Sequence, residues 1–66
     1  MKATINGRTR ELPEELTVGT LLELLGSPRA GVAVACNERI VRRDEYDARR
    51  LCDGDRLEII EAVAGG

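Results

Sequence analysis

The sequence predicts an α+β domain: a mixed sheet of four to five strands carrying one amphipathic helix on one face. Three observations predict it. Period-two alternation marks strand segments near both ends and in the middle of the chain. Helical spacing occurs in one short segment only. A helix that short must bury its apolar stripe, and the sheet built by the other segments is the surface available to it.

The chain of 66 residues fits one small domain. A fold of that size buries only about 60% of the surface its unfolded chain exposes, which leaves no room for a catalytic cleft, so an enzyme is not expected. The apolar residues are almost all aliphatic and Tyr46 is the only aromatic, which implies a thin two-layer core of small side chains. Ten basic and twelve acidic residues are interspersed along the chain and give a net charge of -2, a poor match for nucleic acid or an anionic membrane. The N-terminus carries no apolar core of a signal peptide, and no apolar run approaches the ~20 residues of a membrane span, so a cytoplasmic, soluble protein is expected. Cys36 and Cys52 stand sixteen positions apart with no histidine in the chain, which excludes the usual zinc spacings and the Cys-x-x-Cys redox pair. No metal site is expected, and the thiols should be reduced and unpaired.

Residues 1–6 alternate, with Met1, Ala3 and Ile5 on one face and Lys2, Thr4 and Asn6 on the other; Asn6-Gly7 then supplies a favoured hairpin turn. A second strand over 8–12 turns Leu12 inward, and Pro13, lacking an N–H, ends it. Thr17 is placed to cap a helix over 18–25. Its apolar positions Val18, Leu21, Leu22 and Leu25 follow the i, i+3, i+4, i+7 spacing, and Gly26 stands at the left-handed C-terminal position. From Val32 the period returns to two, with Val32, Val34 and Cys36 opposite Ala33, Ala35 and Asn37; Asn37-Glu38-Arg39 then turns into Ile40-Val41. Asp44–Asp47 reads as a polar or short helical turn, Asp53-Gly54-Asp55 as a tight turn, and Leu57–Val63 as the last strand.

This order describes a β-grasp, with the first and last strands parallel at the sheet centre and joined by the helix-containing crossover. If the last strand stops near Val63, residues 1–66 form a single β-grasp domain in which 64–66, Ala64-Gly65-Gly66, is a flexible tail beyond the sheet.

The succession Val34-Ala35-Cys36-Asn37, Ile40-Val41-Arg42-Arg43, Asp53-Gly54-Asp55 and Val63-Ala64-Gly65-Gly66 resembles the thiamine-biosynthesis sulfur carrier family (ThiS) of the ubiquitin-like superfamily. The resemblance covers essentially the whole chain. Each motif alone is common, and their order and spacing carry the specificity. Two features depart from related patterns: Cys36 stands where an aliphatic inward residue is usual, and the paired prolines before the terminal glycines of molybdopterin-synthase carriers are missing, which favours the thiamine branch.

The resemblance implies a carrier protein and co-substrate. The carboxylate of Gly66 would be adenylated by an E1-like, ThiF-like enzyme that supplies the ATP and magnesium site, this chain binding no cofactor itself. A sulfur donor such as a cysteine desulfurase would then give a thiocarboxylate, and a ThiG-like thiazole synthase would accept the sulfur. Gly65 and Ala64 would thread a narrow channel, where the absence of a Cβ on glycine lets the backbone approach a phosphate. With glycine at about 7% of residues, Gly-Gly ends about one chain in 200 by chance. Alternatives stay open: a carrier serving molybdopterin, tRNA thiolation or a secondary metabolite, a ubiquitin-like modifier that joins its glycine to lysine, or a β-grasp interaction module that uses no terminus.

Other residues have plainer readings. Cys36 alternates in phase with Val32 and Val34 and is read as core, and Cys52 as packed against Leu51 and Leu57. Arg42-Arg43 and Arg49-Arg50 read as a solvated face rather than a partner contact, and Asp53 and Asp55 as turn formers rather than cation ligands. Ile60 and Ala62 alternate away from Leu57 and Ile59, on the same side as Ala33 and Ala35. That flat apolar patch is the expected partner-docking face.

Overall fold

In the computed structural model, which describes residues 1–61, the chain starts as β1 (Lys2–Ile5) and folds straight back as β2 (Arg8–Glu11). Asn6 and Gly7 make the reversal at φ 50° and 82°, the pair of left-handed residues that a two-residue hairpin turn needs to match strand twist. Ala3 and Ile5 enter the core, whereas every residue of β2 is exposed. Pairing persists to Leu12, which is buried and exchanges backbone hydrogen bonds with Met1 before Pro13 interrupts the ladder.

Helix α1 (Val18–Leu25) has the expected limits. Thr17 and Thr20 cap it reciprocally: Thr20 N–H donates to Thr17 Oγ1 at 3.2 Å, and Thr17 N–H donates to Thr20 Oγ1 at 2.8 Å. Gly26 ends it at φ 72°, and Ser27 N–H reaches back to the Leu22 carbonyl. Val18, Leu21 and Leu22 are fully buried, while Leu25, at the end of the stripe, is half-buried.

Strands β3 (Val32–Cys36) and β4 (Arg39–Val41) form a second hairpin whose two turn residues, Asn37 and Glu38, are also left-handed. The expected polar turn is a 3-10 turn over Arg43–Glu45 that delivers Tyr46 into the core, where its hydroxyl lies 3.4 Å from the Val32 carbonyl it donates to. The pattern around this aromatic is polar, so its burial was not apparent from the sequence. The turn through Gly54 then leads into β5 (Arg56–Glu61). The predicted continuation of this strand to Val63 lies outside the described residues.

The strand order is β2-β1-β5-β3-β4, with β5 parallel to β1 and antiparallel to β3. This is the anticipated β-grasp arrangement, with α1 laid on one face. The backbone from Leu16 to Val18 bonds to Arg49 and Leu51, which ties the helix entry to the segment leading into β5. Ile59, expected to face inward, packs on the core cluster but is only half-buried, and it lines an open groove together with Leu25 at the end of α1.

Candidate functional site

The central strand β5 leads toward Gly66, and both turn asparagines hold it. Asn37 grips its start: the Asn37 side-chain oxygen accepts from Arg56 N–H at 3.0 Å, and its amide donates to Asp55 Oδ1 at 3.0 Å. Asn6 grips it further on, donating from Nδ2 to the Ile59 carbonyl at 3.2 Å and accepting from Ile59 N–H at 2.8 Å. Strand β1 pairs with β5 through Ile5↔Leu57, so the Asn6 amide prolongs that ladder after the β1 backbone has turned away. The sequence marks Asn6 and Asn37 as turn residues; their second role depends on a strand far along the chain.

On the sheet face opposite α1, Ile60 is 62% exposed and stands directly across from Ala33, which is also exposed. Ala35, half-buried, lies between Glu58 of β5 and Ile40 of β4. Ile40, not assigned to this face beforehand, is 74% exposed and extends the patch to the sheet edge. Its alternation with buried Val41 carried the signal. Ala62, Ala64, Gly65 and Gly66 lie outside the described residues.

Cys36 is buried as expected, and Arg49 Nη2 lies 3.3 Å from its sulfur. Burial pushes the Cys36 thiol up and the Asp55 carboxylate adds to this, with Arg49 partly opposing both. Cys52 corrects the expectation that it packs against Leu51 and Leu57: those two are buried, but Cys52 is exposed at the start of the turn, where its backbone N–H donates to Asp55 Oδ2 at 2.8 Å. Asp55 is buried and accepts from both Cys52 and Asn37, while Asp53 Oδ1 accepts from Lys2 N–H. These carboxylates are thus engaged in shaping the turn. Among the described residues no cluster of three or more His, Cys, Asp or Glu is placed to hold a metal ion. Arg42 pairs with Asp44 at 3.1 Å in solvent, whereas Arg49 is half-buried. Arg29 meets Asp47 at 2.8 Å and holds that exposed carboxyl below its ordinary range, a pair that solvent screens. No helix of the described residues is long and apolar enough to cross a membrane.

A mixed sheet with parallel central strands and one helix across it defines a β-grasp protein of the ubiquitin-like class, with its candidate contacts on open surfaces. The ThiS family model matches residues 3–66, and the chain belongs to that family. The sulfur carrier protein ThiS of Escherichia coli strain K12 is 33% identical over 66 residues, spanning 100% of both chains. A thiazole synthase of Paramagnetospirillum magneticum is 41% identical over 66 residues, which are 100% of this chain and 20% of that protein, so the chain spans about a fifth of its length. The crystal structure of the thiamine biosynthesis protein ThiS from Geobacter metallireducens matches with a TM-score of 0.86 at 33% identity over 100% of each chain.

Proposed function

We propose that this chain is a sulfur carrier of thiamine biosynthesis, a co-substrate rather than a catalyst, with sulfur held as a thiocarboxylate on Gly66. Family membership across residues 3–66 carries this reading. The similarity to a thiazole synthase favours the thiazole branch over other sulfur acceptors.

The carboxylate of Gly66 is a poor electrophile until activated. On an E1-like, ThiF-like enzyme holding ATP and magnesium, the carboxylate attacks the α-phosphorus, pyrophosphate leaves, and a mixed anhydride with AMP forms. A persulfide, supplied by a donor such as a cysteine desulfurase, displaces AMP at the carbonyl. A thiol then cleaves the sulfur–sulfur bond and leaves the thiocarboxylate. A ThiG-like thiazole synthase is the acceptor. Gly65 and Ala64 thread the tail into the partner, and Ile60, Ala33, Ala35 and Ala62 dock it, with Ile40 added to that face. The chain works in the cytoplasm as a single β-grasp domain and binds no cofactor of its own.

Deleting Gly66, or extending the chain past it by one alanine, is expected to abolish ATP-dependent activation. The reacting carbonyl would shift by about 3.5 Å per residue of extended chain, and even ~1 Å of misplacement can cost ~100-fold in rate. The melting temperature should stay nearly constant, because the buried core among the described residues ends at Leu57, with Ile59 packed against it. Pyrophosphate exchange with the cognate adenylating enzyme measures the first effect. The intact mass of the product should rise by the difference between sulfur and oxygen. Wild-type exchange rates from both variants would remove Gly66 from the mechanism.

A further inference from the structure

On the helix side of the sheet, α1 leaves a groove of about 620 Å³ uncovered between its C-terminal end, β2 and the far end of β5. Its apolar lining comes from Ile5 and from the half-buried Leu25 and Ile59. Arg8 and Arg10 line it as well. They are the cross-strand partners of Ile5 and Ala3, so the register puts them on the core-side face of an edge strand that the helix does not cover. Among the described residues, neither guanidinium stands within ion-pair distance of a carboxylate. Glu61, also on the groove, lies five positions before Gly66.

We propose that this groove is a second docking site, and that its occupant is an acidic segment with an apolar anchor belonging to the enzyme that adenylates Gly66. Two guanidinia with no ion-pair partner among the described residues call for carboxylates, and the apolar lining calls for a side chain to bury beside them. That combination suits a peptide segment better than a polyanion, and the chain's net charge of -2 works against broad polyanion binding. Position adds a further constraint. Five extended residues reach no more than about 18 Å, so an enzyme that takes in Gly66 must hold protein surface close to Glu61. The groove and the Ile60 face lie on opposite sides of β5, and an enzyme closing around the tail meets both. The carboxylates at the mouth of its channel would steer the carrier and fix its approach, a role expressed in association and salt dependence more than in chemistry.

This inference rests on the carrier reading, and the test separates the two. The wild-type protein and the Arg8→Glu/Arg10→Glu double variant are compared by pyrophosphate exchange with the adenylating enzyme, over a range of salt, beside melting curves and sedimentation. The variant is expected to raise KM about tenfold or more through like-charge contact, to leave kcat within about twofold, and to lose most of the salt dependence of KM. Both arginines are exposed, so the melting temperature should not change; the milder Arg8→Ala/Arg10→Ala pair should raise KM less without altering the fold. Glu61→Gln should lower KM. An unchanged KM in the charge-reversed variant would overturn the docking site while leaving the carrier reading intact. A fall in kcat at constant KM would move the arginines onto the nucleotide, and loss of a wild-type self-association would make the occupant a second copy; either overturns the proposal. No exchange by the wild-type protein would remove the carrier reading and the docking site together.

Discussion

Cys36 and Cys52 carry the same functional group in environments that set opposite reactivities. Thiolates react and thiols do not, and Cys36 is both shielded from reagent and held in its neutral form by burial and the nearby Asp55 carboxylate. Alkylation of the native protein is therefore expected to modify Cys52 and to spare Cys36 until denaturant is added, as mapped by peptide mass; equal rates at the two sites would contradict the burial. Because the folded pKa of Cys36 is raised, its contribution to stability is complete below the ordinary thiol range and is lost as pH rises through the raised value. Melting curves should fall more steeply at alkaline pH for the wild type than for Cys36→Ala. Leu22 and Ile59 differ in a similar way. Leu22 is fully buried, and Leu22→Ala should cost about 2 to 5 kcal/mol, whereas half-buried Ile59 has less to lose, about 1 to 2 kcal/mol on replacement by Ala. Denaturant titration checks both, and equal losses would mean that the far end of β5 is covered. Alternation in the sequence told Leu57 and Ile59 apart from Ile60 by direction. How deeply each is buried was not legible, because that depends on how far α1 extends over the sheet.

At the scale of elements, local chemistry and the pairing of the first and last strands were readable, and long-range side-chain hydrogen bonds were not. The start and end of α1 follow from Thr17 and Gly26, whose capping bonds span only a few residues. The Asn6-Gly7 turn could be read the same way. The clasp of Asn6 on Ile59 could not, since the partner is 53 residues away and its register is fixed only when β5 enters beside β1. Asn6→Gly isolates that clasp, because glycine keeps the left-handed turn while removing both side-chain hydrogen bonds. The expected cost is about 1 to 3 kcal/mol at about 0.5 to 1.5 kcal/mol per bond, and amide exchange should quicken at Ile59 before it does at Val34, which β3 holds between two strands. Uniform loss of protection across the sheet would show that Asn6 acts through the turn alone.

For the whole molecule, the β-grasp was legible because the strand-turn-strand, helix and returning-strand pattern leaves few ways to bury every apolar stripe at once. The extent of the outer face was less so. Ile60, Ala33 and Ala35 follow from strand alternation; alternation with Val41 gives Ile40 its direction, but its place beside Ala35 depends on the register that the Asn37-Glu38 turn imposes on β4. An isoleucine 74% exposed at the edge and another 62% exposed on the central strand, with small alanines between the strands, form a surface that a partner can desolvate without displacing bulky polar groups. Ile60→Asp and Ile40→Asp should each keep the fold, since neither side chain belongs to the core cluster. Each should weaken binding to the adenylating enzyme by leaving a charge unpaired in a buried contact, by about 1 to 3 kcal/mol or more for a residue near the centre of the interface. Calorimetry of each variant against the enzyme distinguishes the positions: a larger loss for Ile60→Asp centres the interface on β5, and a larger loss for Ile40→Asp shifts it to the β4 edge. Unchanged affinity for both would take this face out of the interface, and a lowered melting temperature for either would show that its side chain contributes to the core.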